Sequence, residues 1–242
     1  NCSCNFSEDV TFPEARQFYA AQALNEAIHQ ETYALLLQTL IRDETERVGL
    51  FRLVETSRAL RAKADFMLKY MARDVPLTSR LVAFAVVEGI FFCASFAAVF
   101  WLKTRGSMLP GFVKANEFIA RDESAHRDFA ILLVKKLGMP PPETVLTIVR
   151  EGCDLEVAFM EETLSANTTV LGLSSSSMAD YIRFVADHLL VSLGLESFYK
   201  VSNPLPFMDT LGMQGKTNFF EARVSEYSLS TGPKVFSTTE DF

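Results

Sequence analysis

From Leu81 to Leu102 the chain runs through a stretch that is apolar all round a helix and interrupted by one charge, Glu88. A helix of that kind has no face it can show to water, so it either crosses a membrane or forms the central member of a soluble bundle. Its length permits the first, with Arg80 and Lys103 at its ends. An acid at the middle of a lone span, however, costs roughly 2.5–3.5 kcal/mol even on the lenient insertion scale, and no other stretch resembles a span. The bundle reading gives Glu88 a reason to lie inside, and no membrane is expected.

What Glu88 would meet there is suggested by a repeat. Glu26-Ala27-Ile28-His29 recurs as Glu123-Ser124-Ala125-His126. A carboxylate and an imidazole three apart lie on one helix face. A single copy is common on solvated helices, but the chain has only 3 histidines and two fall in this pattern, both within apolar helices. The third, His188, has no glutamate three before it and reads as structural. Carboxylates and neutral imidazoles suit divalent iron. Two such copies and an isolated carboxylate on a third helix are the set that builds a dinuclear iron or manganese site in a four-helix bundle. That design draws a carboxylate from each of four helices, whereas Glu26, Glu88 and Glu123 come from three. A fourth is expected from a helix before Asn1, so the chain reads as amino-terminally truncated.

At 242 residues, 49% of them apolar, the chain can build one large core. A net charge of −7 with no basic stripe argues against nucleic acid as partner. Cys93 and Cys153 sit in apolar helical runs and Cys2-Ser3-Cys4 reads as an exposed pair, which suits reduced thiols and a cytoplasmic setting. No signal-peptide pattern is present. Residues 1–13 are polar and mixed. Helices are expected from Pro13 to about Arg42, Asp43 to Arg73, Leu81 to Leu102, Val113 to Leu137, Glu143 to Ser165, and Ala179 to Tyr199, with a serine-rich loop at 174–177. Nothing alternates at period two, so the chain is expected to be all-α. The character changes after Asn203-Pro204, which divides a helical domain (1–202) from a carboxy-terminal segment (203–242) ending in a flexible, mildly acidic tail.

Three motifs, Asn25-Glu26-Ala27-Ile28-His29-Gln30-Glu31-Thr32-Tyr33, Val87-Glu88-Gly89-Ile90-Phe91-Phe92 with Ser95-Phe96, and Arg121-Asp122-Glu123-Ser124-Ala125-His126, closely resemble the small, radical-carrying subunit of class I ribonucleotide reductase of the eukaryotic and large-DNA-virus type. Asn203-Pro204-Leu205-Pro206-Phe207-Met208 and Gly215-Lys216-Thr217-Asn218-Phe219-Phe220-Glu221 resemble it too. The resemblance implies a ferritin-like helical bundle, here without its amino-terminal helices. It implies that Glu26, His29, Glu88, Glu123 and His126 hold two iron ions, with manganese as the alternative, and that the centre reacts with oxygen to oxidise Tyr33 to a stable radical. Phe92, Phe96 and Ile119 would cage that radical, and Asp122 would accept the free ring N–H of His29. Tyr227 corresponds to a mobile relay tyrosine, and the end of the tail at Phe242 to the segment that docks on a large subunit, which reduces ribonucleotides to deoxyribonucleotides. A homodimer is implied as well. The family's first ligand, an aspartate, and its upstream tryptophan have no counterpart here; Trp101 is not that residue. Two rivals remain: a ferritin-like ferroxidase, which would need neither Tyr33 nor the tail, and a catalytically silent structural paralogue.

Overall fold

A computed structural model describes residues 2–106, 109–165 and 173–209. Ten helices and no strand occur among them: α1 (Cys2–Asp9), α2 (Pro13–Leu40), α3 (Glu44–Thr56), α4 (Arg58–Tyr70), α5 (Leu77–Gly89), α6 (Cys93–Thr104), α7 (Pro110–Leu137), α8 (Pro142–Ser165), α9 (Ser175–Ser192) and α10 (Pro206–Asp209). The all-α expectation therefore holds for the described residues.

α5 is the hub. Every residue from Ser79 to Gly89 is buried, and the helix packs on α4, α7, α8 and α9. The segment most like a membrane span is thus mostly enclosed by protein. α8 comes close to α5 because it carries Gly152 at the crossing; a Cβ there would stand 2.2 Å from Val86 Cγ1. α2 is a contrast. It buries only Ala15, Tyr19, Gln22 and His29, leaving Leu24, Ile28 and Leu35 exposed.

Several expected boundaries need correction. The polar, mixed stretch before Pro13 carries a helix that the sequence did not announce: α1 buries Phe6 against Tyr19 and Phe84, with ring centroids 5.5 and 5.1 Å apart. The single helix expected from Asp43 to Arg73 breaks at Ser57, which ends α3 and caps α4 by accepting the Leu60 N–H. This cap satisfies one of the orphan donors of α4's first turn. The run from Leu81 to Leu102 breaks at residues 90–92, where both Ile90 and Phe91 donate their N–H to the Val86 carbonyl, at 2.7 and 3.3 Å. α9 starts earlier than Ala179, because Ser174 accepts the Ser177 N–H, so most of the serine loop is helix. It also stops before Tyr199, where the Asp187 carboxylate gathers the N–H groups of Phe198, Tyr199 and Lys200. Past residue 203, Leu205 and Met208 are buried and α10 packs on α6. Tyr227 and Phe242 lie outside the described residues.

Candidate metal centre

Three helices bring the predicted ligands to one point. On α2 the spacing 19, 22, 26, 29, 33 keeps Tyr19, Gln22, Glu26, His29 and Tyr33 on one stripe; on α7 the stripe carries Asn116, Ile119, Glu123 and His126. Glu88 enters from the last turn of α5. Ligand atoms of Glu26, Glu88, Glu123 and His126 all lie within 4.8 Å of one another. His126 Nδ1 is 3.2 Å from Glu26, 3.3 Å from Glu123 and 3.9 Å from Glu88. His29 Nδ1 is 3.0 Å from Glu123 and 3.8 Å from Glu26.

The outward nitrogen of His29, Nε2, lies 3.0 Å from Asp122 Oδ2. That contact fixes the ring and brings a fourth carboxylate to the edge of a cluster that has only three of its own. Two partners escaped the sequence reading. Gln22 is buried and donates to Glu88 Oε1 at 3.4 Å, and Asn116 is buried and accepts the Tyr33 hydroxyl at 2.9 Å. Both sit on the ligand stripes, four residues before Glu26 and seven before Glu123, so register alone could have flagged them.

The electrostatics are those of crowded groups short of a cation. Burial lifts Glu88 well above the usual carboxylate range, helped by a hydrogen bond to Glu123. Burial acts the same way on Glu123, but there the hydrogen bonds from Glu88, His126 and His29 win and hold it well below the usual range. Glu26 is also held low, its burial outweighed by His126 and His29. Burial opposes charge on the imidazoles as well, yet their carboxylate neighbours raise His29 to about 10 and His126 to about 11. His126 Nε2 is buried without a hydrogen-bond partner. His29 Nδ1 faces Glu123 at 3.0 Å, on the inward side of the ring. This donor set of oxygens and imidazole nitrogens fits a metal ion. Beside it a cavity of about 10 Å³ is bordered by Glu88, Phe96, Ala120 and Glu123.

Tyr33 departs from the expectation of a dry, caged phenol. The residue is 41% exposed, and so is Phe92, which the break after α5 leaves at the surface; Phe96 and Ile119 are buried as expected. Its hydroxyl is held by Asn116, and partial burial plus the Glu123 charge pushes the phenol up to about 12. Tyr19, one turn before Gln22, is the drier phenol, 1% exposed with an unpartnered hydroxyl. His188 packs edge-on against Phe184 and is not among the clustered ligand atoms.

Comparison with known proteins agrees with this geometry. The profile of the family "Ribonucleotide reductase, small chain" matches residues 1–204. A ribonucleoside-diphosphate reductase small subunit of Arabidopsis thaliana is 45% identical over 100% of this protein and 73% of its own length. The variola virus counterpart is 42% identical over 100% of this protein and 76% of its own length. Among solved structures, the Rnr4 homodimer of Saccharomyces cerevisiae superposes with a TM-score of 0.77 at 32% identity, covering 93% of this protein and 68% of that one. The protein belongs to the small-chain family of ribonucleotide reductase, an oxidoreductase, and shares its ferritin-like helical fold.

Proposed function

We propose that Glu26, His29, Glu88, Glu123 and His126 hold a pair of iron ions, manganese being the alternative load, and that Tyr33 is oxidised beside them to a radical used by a large subunit to reduce ribonucleotides. The observation that carries this reading is the meeting of five ligand-type side chains from α2, α5 and α7 in one small volume. Once bound, the metal pair supplies the oxidising power, drawn from oxygen, to take an electron from a phenol. The residues do the rest. Asp122 keeps the His29 ring turned inward, Gln22 steadies Glu88, and Asn116 fixes the Tyr33 hydroxyl. To hold a metal ion, His29 and His126 would each have to offer a ring nitrogen free of its proton, and Glu88 would have to be ionised. Tyr227 serves as relay, the tail ending at Phe242 docks on the large subunit, and the protein works as a cytoplasmic homodimer.

Anaerobic addition of ferrous iron followed by oxygen, read by electron paramagnetic resonance, tests the proposal. The expected result is a tyrosyl signal that disappears in Tyr33→Phe. Iron uptake and oxidation without any radical would favour ferroxidase activity, a reading supported by the open flank of Tyr33. No uptake at all would indicate a silent paralogue.

A further inference from the structure

A second buried charged group lies outside the metal cluster. Lys63 of α4 and Glu156 of α8 meet at 2.7 Å; Glu156 is fully buried and the Lys63 side chain is 13% exposed. A buried ion pair of this kind is a poor source of stability, because desolvation offsets the attraction and an apolar pair of similar volume does as well or better. Its position suggests another use. The Lys63 ammonium also donates to the Phe91 carbonyl at 2.8 Å and lies over the rings of Phe91 and Phe159, 4.8 and 4.2 Å from their centroids. Phe91 is in the break between α5 and α6, where its N–H reaches back five residues to Val86 and its carbonyl lies outside both helices. Glu156 in turn lies near the Ala94 N–H on the first turn of α6, its Oε2 held by Lys63 and its Oε1 buried without a hydrogen-bond partner. One turn earlier on α8, Gly152 seats Val86. The last turn of α5, which carries Glu88, is thus held on both sides of that residue by α8 and α4.

We propose that Lys63 and Glu156 are positioning residues that clamp the α5–α6 break and thereby aim the Glu88 carboxylate at the metal cluster. A break in a helix leaves backbone groups that must find partners. Lys63 serves the freed Phe91 carbonyl and is itself held by Glu156 from α8, which an apolar pair cannot do. The proposal rests on the reading of Glu88 as a ligand.

The test uses the full-length protein with three variants: Lys63→Arg, Glu156→Gln, and the double variant Lys63→Met with Glu156→Leu. Amide hydrogen exchange of the metal-free protein reports on the break, and anaerobic competition with a chelator reports on ferrous-ion affinity. The double variant should fold with an unchanged or higher Tm, yet exchange at residues 90–96 at least about tenfold faster, with α9 unaffected. Its ferrous affinity should fall about 10–100-fold, the range for losing a group that orients a ligand. Lys63→Arg should restore most of both, and Glu156→Gln should lie between. Wild-type exchange and affinity in the double variant would overturn the proposal, as would a loss of affinity that merely tracked a loss of Tm. Should the wild-type protein bind no ferrous ion, the ligand reading of Glu88 fails, while the exchange at residues 90–96 still decides the clamp.

Discussion

Gly152→Ala is the substitution whose sign best tests the packing. In an ordinary helix interior the change is favourable by about 1 kcal/mol, since alanine loses less backbone freedom than glycine. Here the new Cβ would stand 2.2 Å from Val86 Cγ1, whereas carbon atoms in contact lie about 3.5–4.0 Å apart. Val86 is completely buried, and a helical valine keeps essentially one rotamer, so it cannot swing aside. α8 must move off α5 by more than about 1 Å. Overpacking typically costs 1–3 kcal/mol, and a 2.2 Å approach to a buried side chain belongs at the upper end, about 2–3 kcal/mol, so after the helix-propensity gain of about 1 kcal/mol the variant should be about 1–2 kcal/mol less stable. For a protein of this size that lowers Tm by about 2–8 °C, measurable by calorimetry or urea melting of the metal-free protein. Val86→Ala removes the obstructing methyls; alone it should destabilise, and combined with Gly152→Ala it should cost at least about 1 kcal/mol less than the sum of the two. A Gly152→Ala protein as stable as wild type, or more so, would refute the close contact between α8 and α5.

Asp122→Asn should lower ferrous or manganous affinity about 10–100-fold by leaving His29 Nε2 without its carboxylate, measured by anaerobic equilibrium dialysis. Glu156 gives a pH signature, because burial raises it from 4.5 to about 7 despite Lys63. The fold favours its protonated form, so this contribution is full below about pH 4.5 and lost as pH rises to about 7, by about 3 kcal/mol. Wild type measured against Glu156→Gln should therefore lose relative stability between pH 5 and 7.5; a flat difference would contradict the assignment. Ser57→Ala should cost about 1 kcal/mol in urea midpoint measurements, since it removes the acceptor for the Leu60 N–H at the start of α4.

The metal cluster was legible in the sequence because its chemistry is written in helical register. Glu26 with His29, and Glu123 with His126, share faces by spacing alone, and Glu88 is conspicuous in an apolar run that has to be central. What stayed hidden depends on partners distant in sequence. The break at 90–92 looks like uninterrupted helix until Lys63 supplies a donor for Phe91. The break at Ser57 is reinforced by Glu162, which accepts the Ala59 N–H from α8. α1 is nearly patternless, and Phe6 becomes core only through Tyr19 and Phe84. The openness of Tyr33 was illegible for the same reason: register places Tyr33 one turn from His29, but only packing decides whether Phe92 turns toward it or toward water.

These restraints are unevenly divided among the three helices that carry the cluster, and the division has a physical logic. α5 is fixed near its amino end by the Arg80–Asp9 ion pair at 2.8 Å, in its last turn by Gly152 against Val86, and just past its carboxyl end by Lys63 on the Phe91 carbonyl. Its Glu88 is the one of the three clustered carboxylates most strongly driven toward its neutral form, by burial above all. A carboxylate in such surroundings tolerates no wandering, because each lost contact leaves it desolvated without a partner. α2 is held through a narrow stripe only, and its Glu26 and Tyr33 keep partial access to water. The rigid half of the centre thus belongs to α5 and α7, which pack closely together. The adjustable half belongs to α2, which carries the phenol whose hydroxyl hangs on a single bond to Asn116.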